Sequence, residues 1–213
     1  MESVIANWPL LMIGLKVTLQ VSLLVLLIGT LIGTGGGITL LYGPPPLRWL
    51  VRLYVDIIRG IPLLVLLFAA FYGLPALGWQ ISALAAGVIA LSAFCGAHVS
   101  EVIRGGISSI PRGQTDAGKA IGLTFIQRLL YVIFPQALSR ILPPWVNTAV
   151  EMVKASSLIS LLSVVDLMLS VQQIVGRTRE TLLFYAVAAF LYFIINYTIS
   201  TVGLIIEERY SYS

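Results

Sequence analysis

Charge is what this chain lacks. Asp, Glu, Lys and Arg together make up 10% of its 213 residues, against about 25% in soluble domains. None of the four occurs from Val17 to Leu47 or from Gly60 to Ser100. With 58% hydrophobic residues and a mean hydropathy of +0.98, there is too little polar surface for a water-soluble globule of this length, and the solvent is lipid. Cysteine is nearly absent: Cys95 alone excludes an internal disulfide and says nothing about redox compartment. Histidine is also single. His98 excludes a His-rich metal cluster, and any nucleophile–His–acid set would have to be assembled around it. The net charge of +4 comes without a basic patch interleaved with aromatics, which excludes a nucleic-acid groove.

What is present is a series of apolar runs. A helix needs about 20 apolar residues to cross the hydrocarbon core. The pattern predicts an all-α membrane protein of about five spans. Span one starts near Leu10 and ends before Gly43-Pro44-Pro45-Pro46. Span two runs about Leu53 to Tyr72 and span three about Ile81 to Ile103, divided at Gly73–Trp79. Span four runs about Pro144 to Leu169, and span five Thr181 to Ile206. The N-terminal apolar run lacks a basic leader and is too long for a signal-peptide core, so it is read as the first span. Asn196-Tyr197-Thr198 matches a glycosylation sequon inside span five and is read as chance. Arg48 and Arg52 follow span one, and Arg104, Arg112, Lys119, Arg128 and Arg140 follow span three. The positive-inside rule puts both connections in the cytoplasm, the N-terminus outside and the C-terminus inside. Arg177 and Arg179, between spans four and five, run against that rule.

The one long polar connection, about residues 104–143, holds GQTDAGKA at Gly113–Ala120. This is one residue short of the phosphate-cradling G-x-x-x-x-G-K-[ST] loop, because Ala120 lacks the magnesium-binding hydroxyl. It follows a membrane helix and not a buried strand, so it is not read as a nucleotide site. Instead Gln114 or Thr115 is expected to cap a short helix from Asp116 that stops at Gly122. Ala117, Gly118 and Ala120 keep one side of that helix thin enough to lie in a groove. Thr124 with Gln127 is a capping box starting a second helix that ends near Pro135.

Arg104–Pro144 resembles the cytoplasmic EAA loop of ABC importer permeases, in particular the polar amino acid branch. Asp116-Ala117-Gly118, then Gly122, then Ile141-Leu142-Pro143 follow that family's order, and YVDIIRGIPLLVLLF (Tyr54–Phe68) and VKASSL (Val153–Leu158) are similar to its other phrases. Asp116 and Gly118 depart from the family's Glu and Ala. Ala155 stands where the branch often has Asp. The resemblance covers about residues 10 to 206. It implies a single transmembrane permease domain, residues 1–213, that is not itself an enzyme and binds no cofactor. ATP and Mg would be held by a separate ATPase subunit docked on Gly113, Gln114, Asp116, Ala117, Ala120, Gly122 and Thr124. The other implied partners are a second permease, identical or paralogous, and an extracytoplasmic amino-acid-binding protein. The implied location is the bacterial inner membrane.

Ionisable residues within spans are functional suspects, since each costs about 2.5–3.5 kcal/mol to insert. His98, Glu101 and Gly105 share one face of span three; Asn147, Glu151, Lys154 and Leu158 share one face of span four, with Ser157 nearby. Facing stripes would make a polar lane for an amino acid, with Glu101, His98, Asn147, Glu151 and Ser157 as the solute-facing set. Glu101 or Glu151 would meet the ammonium; Lys154, a serine hydroxyl or a backbone N–H would meet the carboxylate. The bland alternative is self-pairing, Glu101 with Arg104 and Glu151 with Lys154. Arg52, Asp56 and Arg59 are expected to form an interfacial ladder. Gly29, Gly33 and Gly37 flatten one face of span one for packing within the chain or against another subunit. A different mechanism, an ion-coupled secondary transporter using Glu101, Glu151 and Asp166, would need inverted repeats that are not apparent in 213 residues.

Overall fold

The computed structural model describes residues 2–211, with side chains through Arg209. Met1, Tyr212 and Ser213, part of the expected 1–213 domain, lie outside the described residues. The described chain is helical apart from short connections. Three helices are long and apolar enough to cross a membrane: α1 (Glu2–Tyr42), α5 (Ala83–Ser108) and α10 (Thr181–Ser211). Two bent pairs bring the count to five when each pair is one span.

The first bent pair corrects the expected second span. A straight helix from Leu53 to Tyr72 does not form. The chain makes α2 (Pro45–Gly60), turns by 109°, and continues as α3 (Leu63–Phe68), a π-turn at Ala69–Gly73 and the single turn α4 (Leu74–Ala76). Pro62 forces the break. Its ring disfavours a helical conformation at Ile61, which is extended at φ −101°, ψ 135°. α2 is therefore a separate amphipathic helix. It buries Val55, and Val51, Tyr54 and Ile58 beside it, against Leu40 and Ala97.

The second bent pair corrects the fourth span, expected from Pro144 to Leu169. The helix starts about five turns earlier. The capping box opens α7 (Phe125–Arg128): the Thr124 amide donates to Gln127 Oε1 at 2.9 Å, and the Gln127 amide donates to Thr124 Oγ1 at 3.4 Å. The helix does not end near Pro135. A π-turn at Leu129–Ile133 feeds α8 (Phe134–Ala155), which accepts Pro135 in its first turn and carries Pro143 and Pro144 inside. α8 then tightens into a 3-10 segment, Ser156–Leu162. Ser163 adopts a left-handed φ of 63°, and the chain bends by 52° before α9 (Leu167–Thr178).

The core lies between α1 and α5. Gly29, Gly33 and Gly37 meet Cys95, Val99 and Ile103 in the same order, so the two helices run parallel. A Cβ at Gly33 would sit 2.4 Å from Val99 Cβ. The glycine row therefore serves packing within this chain, at a helix separation no larger residue permits. A second cluster, Leu11, Leu167, Val171, Ile174 and Phe184, joins α1, α9 and α10.

Candidate functional site

The polar connection folds as α6 (Arg112–Ala120) between α5 and α7. Neither Gln114 nor Thr115 caps it. The helix begins one turn earlier, after Pro111, which offers no side-chain cap. Proline there pre-sets the backbone and competes successfully with the polar side chains. Gln114 instead accepts from Gln136 Nε2 of α8 at 3.2 Å. The stop at Gly122 is as expected, with φ +78°. Gly118 is the one buried residue of α6: its missing side chain makes room for the Arg128 methylenes, and Arg128 Nη1 donates to Leu123 O at 2.7 Å. Arg140 Nη1 donates to Ser109 O at 2.9 Å, and the Tyr42 and Phe125 rings meet edge to face at 5.0 Å. The elbow is thus braced from α1, α5 and α8. Gly113, Gln114, Asp116, Ala117, Ala120, Gly122 and Thr124 all remain exposed, as does Ile121 at 76%.

The stripe on α5 is satisfied within the chain. His98 Nδ1 lies 3.0 Å from Phe94 O, and its ring packs on Phe94 at 4.3 Å. Glu101, 17% exposed, pairs with Arg104 at 2.6 Å and with Arg52 of α2 at 3.0 Å. The expected Arg52–Asp56–Arg59 ladder does not form among the described residues. Arg52 reaches across to α5 because the 109° bend lays α2 against it. This cross-helix pair is testable. Arg52→Gln and Glu101→Gln are expected to show a stability coupling of about 0.5–1 kcal/mol, the range of solvent-accessible ion pairs. A double-mutant cycle of thermal unfolding in detergent measures it, and strict additivity would remove the contact.

The stripe on α8 is the opposite case. Asn147, Glu151 and Lys154 are exposed, and neither charge has an ion-pair partner among the described residues. The expected Glu151–Lys154 pair is absent, and no hydrogen bond joins this stripe to His98 or Glu101. Just beyond it, Ser157 Oγ donates to Lys154 O at 2.7 Å. Lys154 and Ser157 line a cavity of about 300 Å³ with Met168, Tyr185 and Tyr192. Asn147 lines another, of about 250 Å³, with Ser200 and Glu207. The two charges on a lipid-facing surface would together cost about 5–7 kcal/mol on insertion scales. That face belongs against protein or water.

A braced elbow with an exposed helix thus stands beside a span whose two charges have no ion-pair partner among the described residues. Residues 26–212 match the family described as binding-protein-dependent transport system inner membrane component. The chain belongs to this family. It is similar to the L-cystine transport system permease protein TcyB of Bacillus subtilis (strain 168), with 38% identity over 203 residues covering 95% of this chain and 87% of that one. It also resembles the probable glutamine ABC transporter permease protein GlnP of the same organism, at 35% identity covering 80% of each chain. A solved structure described as an amino acid ABC transporter with histidines superposes with a TM-score of 0.90, at 34% identity and 97% coverage of each chain. The MetNI methionine ABC transporter, at 22% identity and a TM-score of 0.80, shares the fold.

As a member of this family the chain is a multi-pass inner-membrane transport subunit, and its ATPase is a separate chain. The near-miss GQTDAGKA segment is an exposed helix and not a phosphate loop. The relatives lend no support to an ion-coupled mechanism. Sequence reasoning passed over Tyr185 and Tyr192 as cavity residues. They lie in the uncharged span five, where aromatic residues give no periodic signal that separates a cavity wall from a lipid-facing ring.

Proposed function

We propose that this permease carries a polar amino acid through a path made between two facing copies, or one copy and a paralogue. The unpartnered stripe of Asn147, Glu151 and Lys154 carries this reading. A second subunit with the same stripe would enclose it and make the lane polar on both sides. Lys154 and Ser157 suit a solute carboxylate, Glu151 suits the ammonium, and Tyr185, Met168 and Tyr192 give the neighbouring cavity a wall for a side chain. Glu101 and His98, held by Arg52, Arg104 and Phe94, act in this proposal as supports at the edge of the path.

A binding protein delivers the solute from outside. Two ATPase subunits hold ATP and Mg and receive α6 in a groove. The positive-inside pattern supports an N-terminus outside and a C-terminus in the cytoplasm, with the elbow on the ATPase side. A solute that binds both states equally cannot drive the switch, so the energy enters through the elbow.

Uptake into proteoliposomes tests the path. Lys154→Ala and Glu151→Gln are each expected to lower amino acid uptake at least about tenfold, the effect of removing one charged contact, with the ATPase still co-purifying. Asp56→Asn, exposed on α2, is expected to leave uptake unchanged. Uptake that tolerates both stripe substitutions would overturn this assignment.

A further inference from the structure

Arg59 is an exposed guanidinium with no ion-pair partner among the described residues, and the transport path above makes no use of it. It stands at the end of α2, just before the break at Pro62. Beyond that break, α3 carries Leu63 and Leu67 into the core beside α5. α2 is turned by 109° from that direction, so it lies across the bundle and not along it. Its 16 residues also reach only about 24 Å, short of a hydrocarbon core of about 30 Å. A helix in this attitude lies in the plane of the membrane, at the level where Arg52 and Arg104 meet Glu101.

The helical repeat divides α2 into three sides. Val51, Tyr54, Val55 and Ile58 pack on Leu40 of α1 and Ala97 of α5. Leu50, Leu53 and Ile57 make a second side, exposed by 54%, 42% and 48%. Arg48, Arg52 and Arg59 make a third, nearly opposite the leucines, and all three are exposed. Trp49, also exposed, stands between the arginine side and the leucine side.

Counter-charge is short on the third side. Arg52 and Arg104 share the one carboxylate of Glu101. Arg48 Nη2 donates to Gly43 O at 3.0 Å, a neutral partner. Asp56, the one acid of α2, is exposed and forms no ion pair among the described residues. Four guanidiniums thus stand with two carboxylates, and positive charge is in excess. A soluble anion would answer the charge but leave Leu50, Leu53 and Ile57 in water. A zwitterionic lipid would cover the leucines but leave the charge. A phosphodiester carrying acyl chains answers both. Guanidinium matches phosphate in geometry and charge, Trp sits at the boundary between headgroup and chain, and a helix with opposed apolar and basic sides lies in an anionic interface.

We infer that α2 docks anionic phospholipid, with phosphates on the side of Arg48, Arg52 and Arg59 and acyl chains along Leu50, Leu53 and Ile57. The lipid holds the bend at Pro62 at the membrane surface, independent of which solute is carried.

The test is native mass spectrometry of the full-length chain in detergent, titrated with phosphatidylglycerol or phosphatidylcholine of equal chain length. Phosphatidylglycerol is expected to bind about tenfold more tightly or better, and Arg59→Gln to cut that preference about fivefold, the effect of one arginine at an anionic surface. Arg59→Lys, which keeps the charge, is expected to retain most of it. Arg177→Gln, the same charge loss on the exposed side of α9, is expected to change nothing. Equal binding of the two lipids would overturn the site, and so would an equal loss from Arg177→Gln, as a general charge effect. Displacement of the lipid by inorganic phosphate alone would overturn it in favour of a soluble anion. An unchanged lipid preference in Arg59→Gln with loss of the co-purifying ATPase would overturn it in favour of a protein contact.

Discussion

Gly33→Leu is expected to leave almost no folded permease in the membrane. The α1–α5 contact is the centre of the bundle, and at Gly33 it is a contact with backbone and with a β-branched side chain. A Cβ would lie 2.4 Å from Val99 Cβ and 3.0 Å from Gly96 O. A flexible neighbour could swing aside; Val99 is stiff at χ1, and Gly96 O belongs to the main chain of α5. Relief requires the two helices to separate along their length, which also unseats Gly29 from Cys95 and Gly37 from Ile103. Overpacking of an ordinary core costs about 1–3 kcal/mol, and a backbone obstacle puts this substitution at or above the top of that range. Gly35, two residues away, has open space around its Cβ position. Gly35→Leu is therefore expected to fold normally. Fluorescence-detected size exclusion of tagged protein separates the two: an aggregated or missing peak for Gly33→Leu beside a sharp peak for Gly35→Leu. A sharp peak for both would show that the glycine row is not what seats α1 on α5.

The second large effect is expected at the elbow. Ala117→Trp combined with Ala120→Trp should strip the ATPase subunit from the purified complex and reduce uptake to background. Both residues are exposed, whereas α6 is held to the bundle at Gly118, packed on Arg128 of α7, and at Gln114, bonded to Gln136 of α8. The permease itself therefore stays folded. What the two indoles remove is the thin face, and a helix that must enter a groove loses its fit when methyl groups become rings. Loss of a well-packed interface centre costs 2 kcal/mol or more, roughly a thirtyfold fall in affinity. Co-purification measures it, with Gly35→Leu again as the control for a bulky change elsewhere. An intact complex from the double variant would mean the ATPase grips another part of this face.

The fold class and parts of the elbow were legible because each rests on a local signal, while the start and cap of α6 were not. Uncharged runs, the Thr124–Gln127 box, the Gly122 stop and the thin Ala117–Ala120 side are decided within a few residues by burial, capping and sterics. The breaks in spans two and four were less legible. Pro62 was visible, but hydropathy averages over it, and a run of leucines reads the same whether the chain continues straight or turns by 109°. Pro143 and Pro144 misled in the other direction, since a helix bent against neighbours tolerates prolines that an isolated one would not.

The amino-acid sequence was enough to place this chain in lipid, to give it about five crossings, and to make its one long polar connection helical. These follow from composition and short-range geometry. Tertiary structure alone decided the pairings. Arg52 left Asp56 for Glu101, the glycine row chose α5, Glu151 and Lys154 stayed apart on an open face, and Asp166 was buried as the cap of α9. The reason is that charge pairing and close packing depend on which residues distant in sequence are brought within a few ångströms, and in this bundle the two helix breaks set those distances.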